Sequence, residues 1–428
     1  MFIRHFEIVL KMGLKKESDD YKEIDKCRVC SGKNLTSYLD LGDMPLANGL
    51  ITGSDISLER RYPLKVAYCG DCDFSQLSVV VNPELMFSDY VYRSSISQSF
   101  RDHCSNLADE LNSGVLKNGE LIVDIASNDG CLLSPFKDRH NRVLGVDPAL
   151  NLVKLANKNG VPTVPGFWSE DLAKEVREEY GPAKVISAFN VFAHVDDVHS
   201  FVEGVKHLMD KEGYFIIEAP HLYNLVENIE FDTVYHEHLS YLLVKPVDRL
   251  MREHGMRVAK AKKFDIHGGS IRMYVEYADK VDTSDGSVQS VIEEEREAGL
   301  HSIERYKALE RDVFGLRRDL TFKLLDLKFE GKSISAFGAS AKGNTLLNYC
   351  GIGSDIIDCI YDDTPEKQGK ITPGVHIPIV NGRELEKGNP DYLLILAWNF
   401  VDEIMQKTKK YAENGGKYIV PVPKLKII

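Results

Sequence analysis

No apolar run in this 428-residue chain approaches the length of a membrane span, which excludes a helical integral membrane protein. Positive charge is not in excess: 53 Lys and Arg face 65 Asp and Glu, a net charge of −12. That balance argues against nonspecific binding to nucleic acid or an anionic membrane, while a local basic pocket for a phosphate stays open. The stretch Phe2-Ile3-Arg4-His5-Phe6-Glu7-Ile8-Val9-Leu10 is broken by charges and carries no cleavage-site pattern. No signal peptide is therefore expected, and the expected location is the cytoplasm. Repeats and low-complexity tracts are missing, which excludes a solenoid. What remains is a globular chain with 43% hydrophobic and 28% charged residues, long enough for about two to four domains.

Cysteine is scarce but patterned, with eight in all. Cys27-Arg28-Val29-Cys30 and Cys69-Gly70-Asp71-Cys72 offer four thiols as two chelating knuckles. Two disulfides or unrelated thiols are the alternative. The spacing and the expected reducing compartment favour zinc, structural rather than catalytic because four cysteines leave no open position. Cys104, Cys131, Cys350 and Cys359 are scattered and read as packed thiols.

From about residue 100 the pattern alternates helices with buried strands. A helix is predicted over 101–116 and strands over 121–125, 143–147, 185–188 and 213–218, with helices at 150–159 and 201–209 between them. Continuous apolar strands in such alternation imply a parallel sheet covered on both faces. Residues 287–329 read as one long helical segment, with Gly299 and Gly315 as candidate breaks and an apolar stripe packed on a neighbouring domain. A second α/β pattern follows, with strands at 333–337, 356–363 and 392–396.

The first glycine-bearing loop is Asp124-Ile125-Ala126-Ser127-Asn128-Asp129-Gly130-Cys131, after a strand. Asp147 ends the next strand, where it can accept from ribose hydroxyls. Acids replace the glycines of a dinucleotide fingerprint. That disfavours a pyrophosphate and suits a cationic, phosphate-free cofactor such as S-adenosylmethionine. An ordinary strand-loop turn is the alternative. The run Phe231-Asp232-Thr233-Val234-Tyr235-His236-Glu237-His238 is dense in proton-handling groups, and His194 follows the third strand. Acid–base chemistry is one reading; a polar helix start with surface histidines and a two-His-plus-Glu metal site are others. His267-Gly268-Gly269-Ser270-Ile271-Arg272 is either an anion-binding turn or a hairpin turn. Gly338 to Gly343 reads as a strand-turn-helix in which Lys342 can hold a diphosphate, or as a plain structural turn.

The order of these motifs resembles the S-adenosylmethionine-dependent C-methyltransferases of nucleotide-linked deoxysugars, of the TDP-3-amino-deoxysugar C-3′-methyltransferase type. Its carriers are Glu230 to His238, His267-Gly268-Gly269-Ser270, and Gly338 to Gly351. The resemblance runs over nearly the whole chain from about residue 26. It implies an α/β fold: a class I, Rossmann-like methyltransferase core, an N-terminal four-cysteine zinc-binding domain and a C-terminal Rossmann-like α/β domain. The expected division is a tail over 1–25, then 26–85, 86–260 and 261–428. Cys27, Cys30, Cys69 and Cys72 would bind zinc. Asp124, Asn128, Asp129, Gly130 and Asp147 would hold the methyl donor. His238 would be the general base, supported by Tyr235, Glu237, His194 and a tyrosine of Tyr90-Val91-Tyr92, with Tyr92 preferred. His267, Ser270, Arg272, Lys342 and Asn344 are the candidate substrate-binding residues.

The implied substrate is a TDP-, GDP- or CDP-linked 4-keto-deoxysugar, methylated at C-3 or C-5 beside the ketone by a monomer or small homo-oligomer. Ala126 departs from the glycine that many methyltransferases carry. Two other readings compete: a nicotinamide-dependent sugar-nucleotide enzyme using the C-terminal loop, and a non-catalytic zinc- and nucleotide-binding protein.

Overall fold

The structure, a computed structural model, describes residues 20–87, 93–266, 268–281 and 285–428. Its centre is a seven-stranded sheet in the order Met256–Phe264, Ser270–Tyr277, Met209–Pro220, Ala183–Phe189, Leu121–Ile125, Arg142–Asp147, Thr163–Pro165. The last five run parallel, and Ser270–Tyr277 enters antiparallel between Met209–Pro220 and Met256–Phe264. All four strands expected here form the parallel middle. They read as unbroken apolar runs because both faces are covered. Leu121, Val123 and Ile125 pack with Val198, Phe201, Val205, Val247 and Leu250 on one side. Ile122, Val185 and Ile216 pack with Cys104, Leu107 and Leu111 of the helix Gln98–Gly114 on the other. Strand order reverses between Leu121–Ile125 and Ala183–Phe189, the place where open α/β sheets bind ligands. The boundary expected at 260 and 261 falls inside the Met256–Phe264 strand.

The cysteine region is a four-stranded antiparallel sheet in the order Ser240–Tyr241, Ser75–Leu77, Tyr62–Cys69, Leu35–Met44. Its edge strand Ser240–Tyr241 comes directly after the Tyr235–His238 run, so that run is tied to the cysteine region. Tyr21–Glu23, placed in the expected tail, instead pairs antiparallel with Val79–Val81; residues 1–19 lie outside the described residues.

The expected single helix over 287–329 is two, Ser287–Glu297 and Ile303–Phe329. Gly299, at φ 76°, turns the chain out of the first, and the Ser302 hydroxyl accepts from the Glu304 amide to cap the second. Gly315 interrupts nothing. Tyr306, Leu309, Val313, Leu316, Leu320, Leu324 and Leu327 form the buried stripe. They share one core with Tyr38, Leu39 and Leu41 of the cysteine-region sheet and with Leu346 and Leu347 of the helix Ala341–Cys350. Each buried leucine there contributes about 1.5–3 kcal/mol, so this helix binds the first and last parts of the chain together.

The C-terminal sheet has the order Ile379–Asn381, Ile360–Asp362, Ile334–Phe337, Tyr392–Ile395, Lys417–Val420, Lys426–Ile427, parallel except for the last strand. The strand expected over 356–363 shrinks to Ile360–Asp362.

Candidate active site

Both cysteine knuckles fold the same way. The Ser31 amide donates to the Cys27 carbonyl and the Asp73 amide to the Cys69 carbonyl, each at 2.9 Å. The Cys27 and Cys69 amides donate in turn to Gly32 and Phe74 carbonyls, each at 2.8 Å. Ser31 and Asp73 close the turns with φ of 58° and 65°. The four sulfurs lie within 4.8 Å of one another, with Cys27–Cys72 at 3.5 Å and Cys30–Cys69 at 3.6 Å, and none is in a disulfide. Zinc with bonds of about 2.3 Å to four thiolates sets sulfurs about 3.8 Å apart, so the cradle fits that ion.

At the reversal point, the loop after Leu121–Ile125 takes left-handed backbone at Ala126, Asn128 and Gly130, with φ of 53°, 55° and 80°. The Ala126 value shows why glycine is the easier residue there. Asp147 locks the loop by accepting from the Asn128 amide at 2.8 Å and from the Ala149 amide at 2.8 Å. Asp124 accepts from the Ser187 hydroxyl at 2.6 Å. Asn128 accepts from the Ser94 amide at 3.0 Å, and Asp129 accepts from the Ser95 amide and hydroxyl. Burial pushes the Asp124 carboxyl up to about 7 and that of Asp147 up to about 6.

A cavity of about 550 Å³ opens along these strand ends, lined by Ile125, Ala126, Pro148, Phe167, Trp168 and His194 among others. Its wall comes from residues beside the five expected donor-binding residues, not from those five. Ser127 Oγ, Asp129 Oδ1 and His194 Nε2 are buried around these strand ends without a hydrogen-bond partner among the described residues. Unspent polar atoms, acids and no phosphate cradle suit a cationic nucleoside such as S-adenosylmethionine.

The Tyr235–His238 run splits by depth. His236 is buried and its Nε2 faces the Tyr62 and Pro63 carbonyls at 3.2 and 3.3 Å, which ties the loop to the cysteine-region sheet. Glu237 is buried and accepts from Asn48 Nδ2 at 2.6 Å. Tyr235 and His238 are half-buried. His238 Nδ1 lies 2.7 Å from the Thr233 carbonyl. A carbonyl only accepts, so Nδ1 carries the proton and Nε2 is the basic nitrogen. Rings then stack in a column. Tyr235 and His238 are 4.0 Å apart between centroids, His238 and His194 5.1 Å, and His194 and Phe87 5.6 Å. Burial, and next the charge of Lys342, push the His238 imidazole down to about 4; burial takes His194 well below its ordinary value. Tyr90 and Tyr92 lie outside the described residues.

The other candidates scatter. Arg272, expected as a phosphate ligand, is buried inside the seven-stranded sheet. It donates to Glu218 at 2.6 Å and to His103 at 2.8 Å, with its guanidinium 4.2 Å from the Phe264 ring centre. Ser270 is buried and donates to the Ile266 carbonyl. His267 lies outside the described residues. Asn344 is buried and donates to the Ala47 carbonyl at 2.6 Å, a tie between the first and last parts of the chain. Lys342 stands near the run, with its ammonium 4.7 Å over the Trp398 ring. The second glycine loop copies the first: Asp362 accepts from the Ala339 amide at 2.7 Å and from the Thr364 amide at 2.8 Å. Lys367 covers that loop by donating to the Ala339 carbonyl at 2.8 Å.

Three family models match in series: "Putative zinc binding domain" over residues 27–87, "Methyltransferase domain" over 96–261 and "C-methyltransferase C-terminal domain" over 265–423. The C-methyltransferase NovU of Streptomyces niveus is 35% identical over 412 residues, covering 96% of this chain and 98% of that protein. Among solved structures, magnesium protoporphyrin IX methyltransferase from Synechocystis PCC 6803 with bound SAH is matched at 15% identity over 42% of this chain and 83% of that one, TM-score 0.33. An S-adenosylmethionine-dependent methyltransferase from Clostridium acetobutylicum ATCC 824 is matched at 12% identity over 41% and 92%, TM-score 0.34. Sheet order, donor loop and domain matches define a class I methyltransferase that uses S-adenosylmethionine, with an N-terminal four-cysteine zinc site. The chain belongs to the C-methyltransferase family that includes NovU.

Proposed function

We propose that this enzyme methylates carbon beside the ketone of a TDP-, GDP- or CDP-linked 4-keto-deoxysugar, at C-3 or C-5, in the cytoplasm. The observation that carries the reading is the His238 ring, held by one bond at Nδ1 with Nε2 left basic, in a ring column that reaches the strand-end cavity. The ketone acidifies the neighbouring C–H, and His238 Nε2 takes that proton. Tyr235, stacked on His238, would donate to the developing enolate oxygen. His194, neutral through burial, completes the wall beside His238 without adding charge. Glu237 supports from behind by fixing the loop to Asn48.

S-adenosylmethionine, when bound, supplies an electrophilic methyl on a sulfonium. Asp124, Asn128, Asp129, Gly130 and Asp147 are the residues that would hold it. The Lys342 charge bears on His238, so a diphosphate paired with Lys342 would lift that pressure and make His238 more basic as substrate binds. The test is incubation in heavy water with TDP-, GDP- and CDP-linked 4-keto sugars, with and without S-adenosylmethionine, read by mass spectrometry. Deuterium gained beside the ketone, and a methyl when donor is added, supports the reading. Donor binding with neither outcome across the panel would reject it.

A further inference from the structure

His238 is aimed by a single carbonyl, and that carbonyl belongs to a short turn. Phe231–Thr233 is one 3-10 turn, closed by the Thr233 amide and hydroxyl, both bonded to the Glu230 carbonyl at 3.1 and 2.6 Å. Its middle residue, Asp232, is wholly buried and lies in the methyltransferase half of the chain. Its partner comes from 166 residues away: the Trp398 indole N–H donates to Asp232 Oδ2 at 2.6 Å. Trp398 opens the short turn after the C-terminal strand Tyr392–Ile395. Phe231, next to Asp232, packs against Tyr349 of the helix Ala341–Cys350 at 5.3 Å between ring centres. The turn is thus clamped from the C-terminal domain at two adjacent residues, and the third residue holds the imidazole.

Resting on the reading of His238 as the base, we propose that Trp398 and Asp232 are positioning residues: the C-terminal domain sets the direction and tautomer of His238 through the indole–carboxylate bond and the Thr233 carbonyl. A buried carboxylate bonded to an N–H is a strong constraint, because losing the donor leaves a desolvated charge without a partner. Without the bond, the cheapest relief is for the turn to rotate Asp232 towards water, which swings the next carbonyl. Proton abstraction from carbon tolerates little of that: a misplacement of about 1 Å costs about 100-fold in rate. Lys342, with its ammonium 4.7 Å from the Trp398 ring centre, helps to hold the indole plane in place.

The test needs no substrate. Protein labelled with 15N at histidine is studied by long-range nitrogen–proton correlation, with the His238 signals identified by their loss in His238→Gln. In the full-length protein His238 is expected as the pure Nδ1–H tautomer at neutral pH. Trp398→Phe keeps the ring and loses the N–H, and is expected to mix the two tautomers. Asp232→Ala is expected to do the same, and Asp232→Asn, which still offers an acceptor, to restore most of the Nδ1–H form. A pure Nδ1–H signal in both Trp398→Phe and Asp232→Ala would overturn the proposal. The base itself is tested separately: heavy-water exchange into the ketosugar panel that survives in His238→Gln would reject His238 as base, whatever the tautomer results. With exchange established, Trp398→Phe should lower its rate about 10- to 100-fold with the substrate KM little changed. A raised KM at unchanged rate would assign Trp398 to nucleotide binding instead.

Discussion

The imidazoles of His194 and His238 lie 5.1 Å apart between ring centres, tilted by 31°, and burial pushes both below the ordinary histidine range. Two neutral rings can sit that close, whereas two cations would repel strongly at low dielectric. A neutral pair is what the proposed role of His238 as base requires. His238→Gln keeps size and polarity and removes the basic nitrogen. It should cut methyl transfer by about 100- to 10,000-fold while S-adenosylmethionine binding stays within about twofold of wild type. Single-turnover assays with parallel calorimetry separate these effects. Comparable activity in the variant would mean another group takes the proton.

The acids proposed to hold the methyl donor titrate in the opposite sense. Burial raises Asp147 to about 6, so below that pH the site favours its protonated form and above it the ionised form. A cation and ribose hydroxyls prefer the ionised form. A carboxyl with pKa about 6 is only about one-quarter ionised at pH 5.5 and fully so at pH 8, and donor affinity should therefore fall at least about fourfold at the lower pH. His238 is already neutral across that window, because its value of about 4 lies below it. Calorimetry at the two pH values checks this, with Asp147→Asn expected to weaken the dependence and leave the share carried by Asp124, which burial raises to about 7.

Zinc should matter beyond its own sheet. The Leu77 amide donates to the Leu239 carbonyl at 2.9 Å, and Ser240–Tyr241 pairs with the strand Ser75–Leu77, which begins three residues after Cys72. Loss of the ion loosens those strands and with them the residue following His238. Cys69→Ser should lower the thermal midpoint on the order of 10 °C, several kcal/mol at about 2–4 °C each, and lower activity with it. Zinc content by atomic emission, together with the melting curve, tests this. A variant that holds no zinc yet melts and turns over as wild type would show the site to be dispensable.

The parts legible in sequence share a physical character. Strands 121–125, 143–147, 185–188 and 213–218 announce themselves because both faces are buried. The cysteine knuckles and the Tyr235–His238 run stand out because unusual chemistry is concentrated in a few positions. Local signals fail where contacts are distant or the element is short. Thr163–Pro165 is too brief to show a period. Gly299 and Gly315 look alike in sequence, and only Gly299 has the left-handed φ that breaks a helix. No local pattern joins Asp232 to Trp398, 166 residues apart, or picks Thr233 as the residue holding His238. His236 and His238 look alike in sequence and differ in depth: His236 is buried against the Tyr62 and Pro63 carbonyls, and His238 is half-buried with Nδ1 on the Thr233 carbonyl.

Arg272 shows the same limit from the other side. After two glycines it reads as an anion ligand, yet it sits on a strand whose neighbours bury it against Glu218 and His103. The pair is almost solvent-free, with side-chain exposures of 2% and 1%. Removing one partner strands the other charge in low dielectric, a loss of about 3–5 kcal/mol. Arg272→Met keeps the stem between Phe264 and Phe189 and removes only the guanidinium. It should destabilise the protein by that amount in urea unfolding, and pairing it with Glu218→Gln should recover part of the loss because no bare charge remains. TDP affinity, measured on whatever folds at low temperature, should change less than twofold. A large loss of TDP binding with unchanged stability would return Arg272 to the phosphate site that its sequence context suggests.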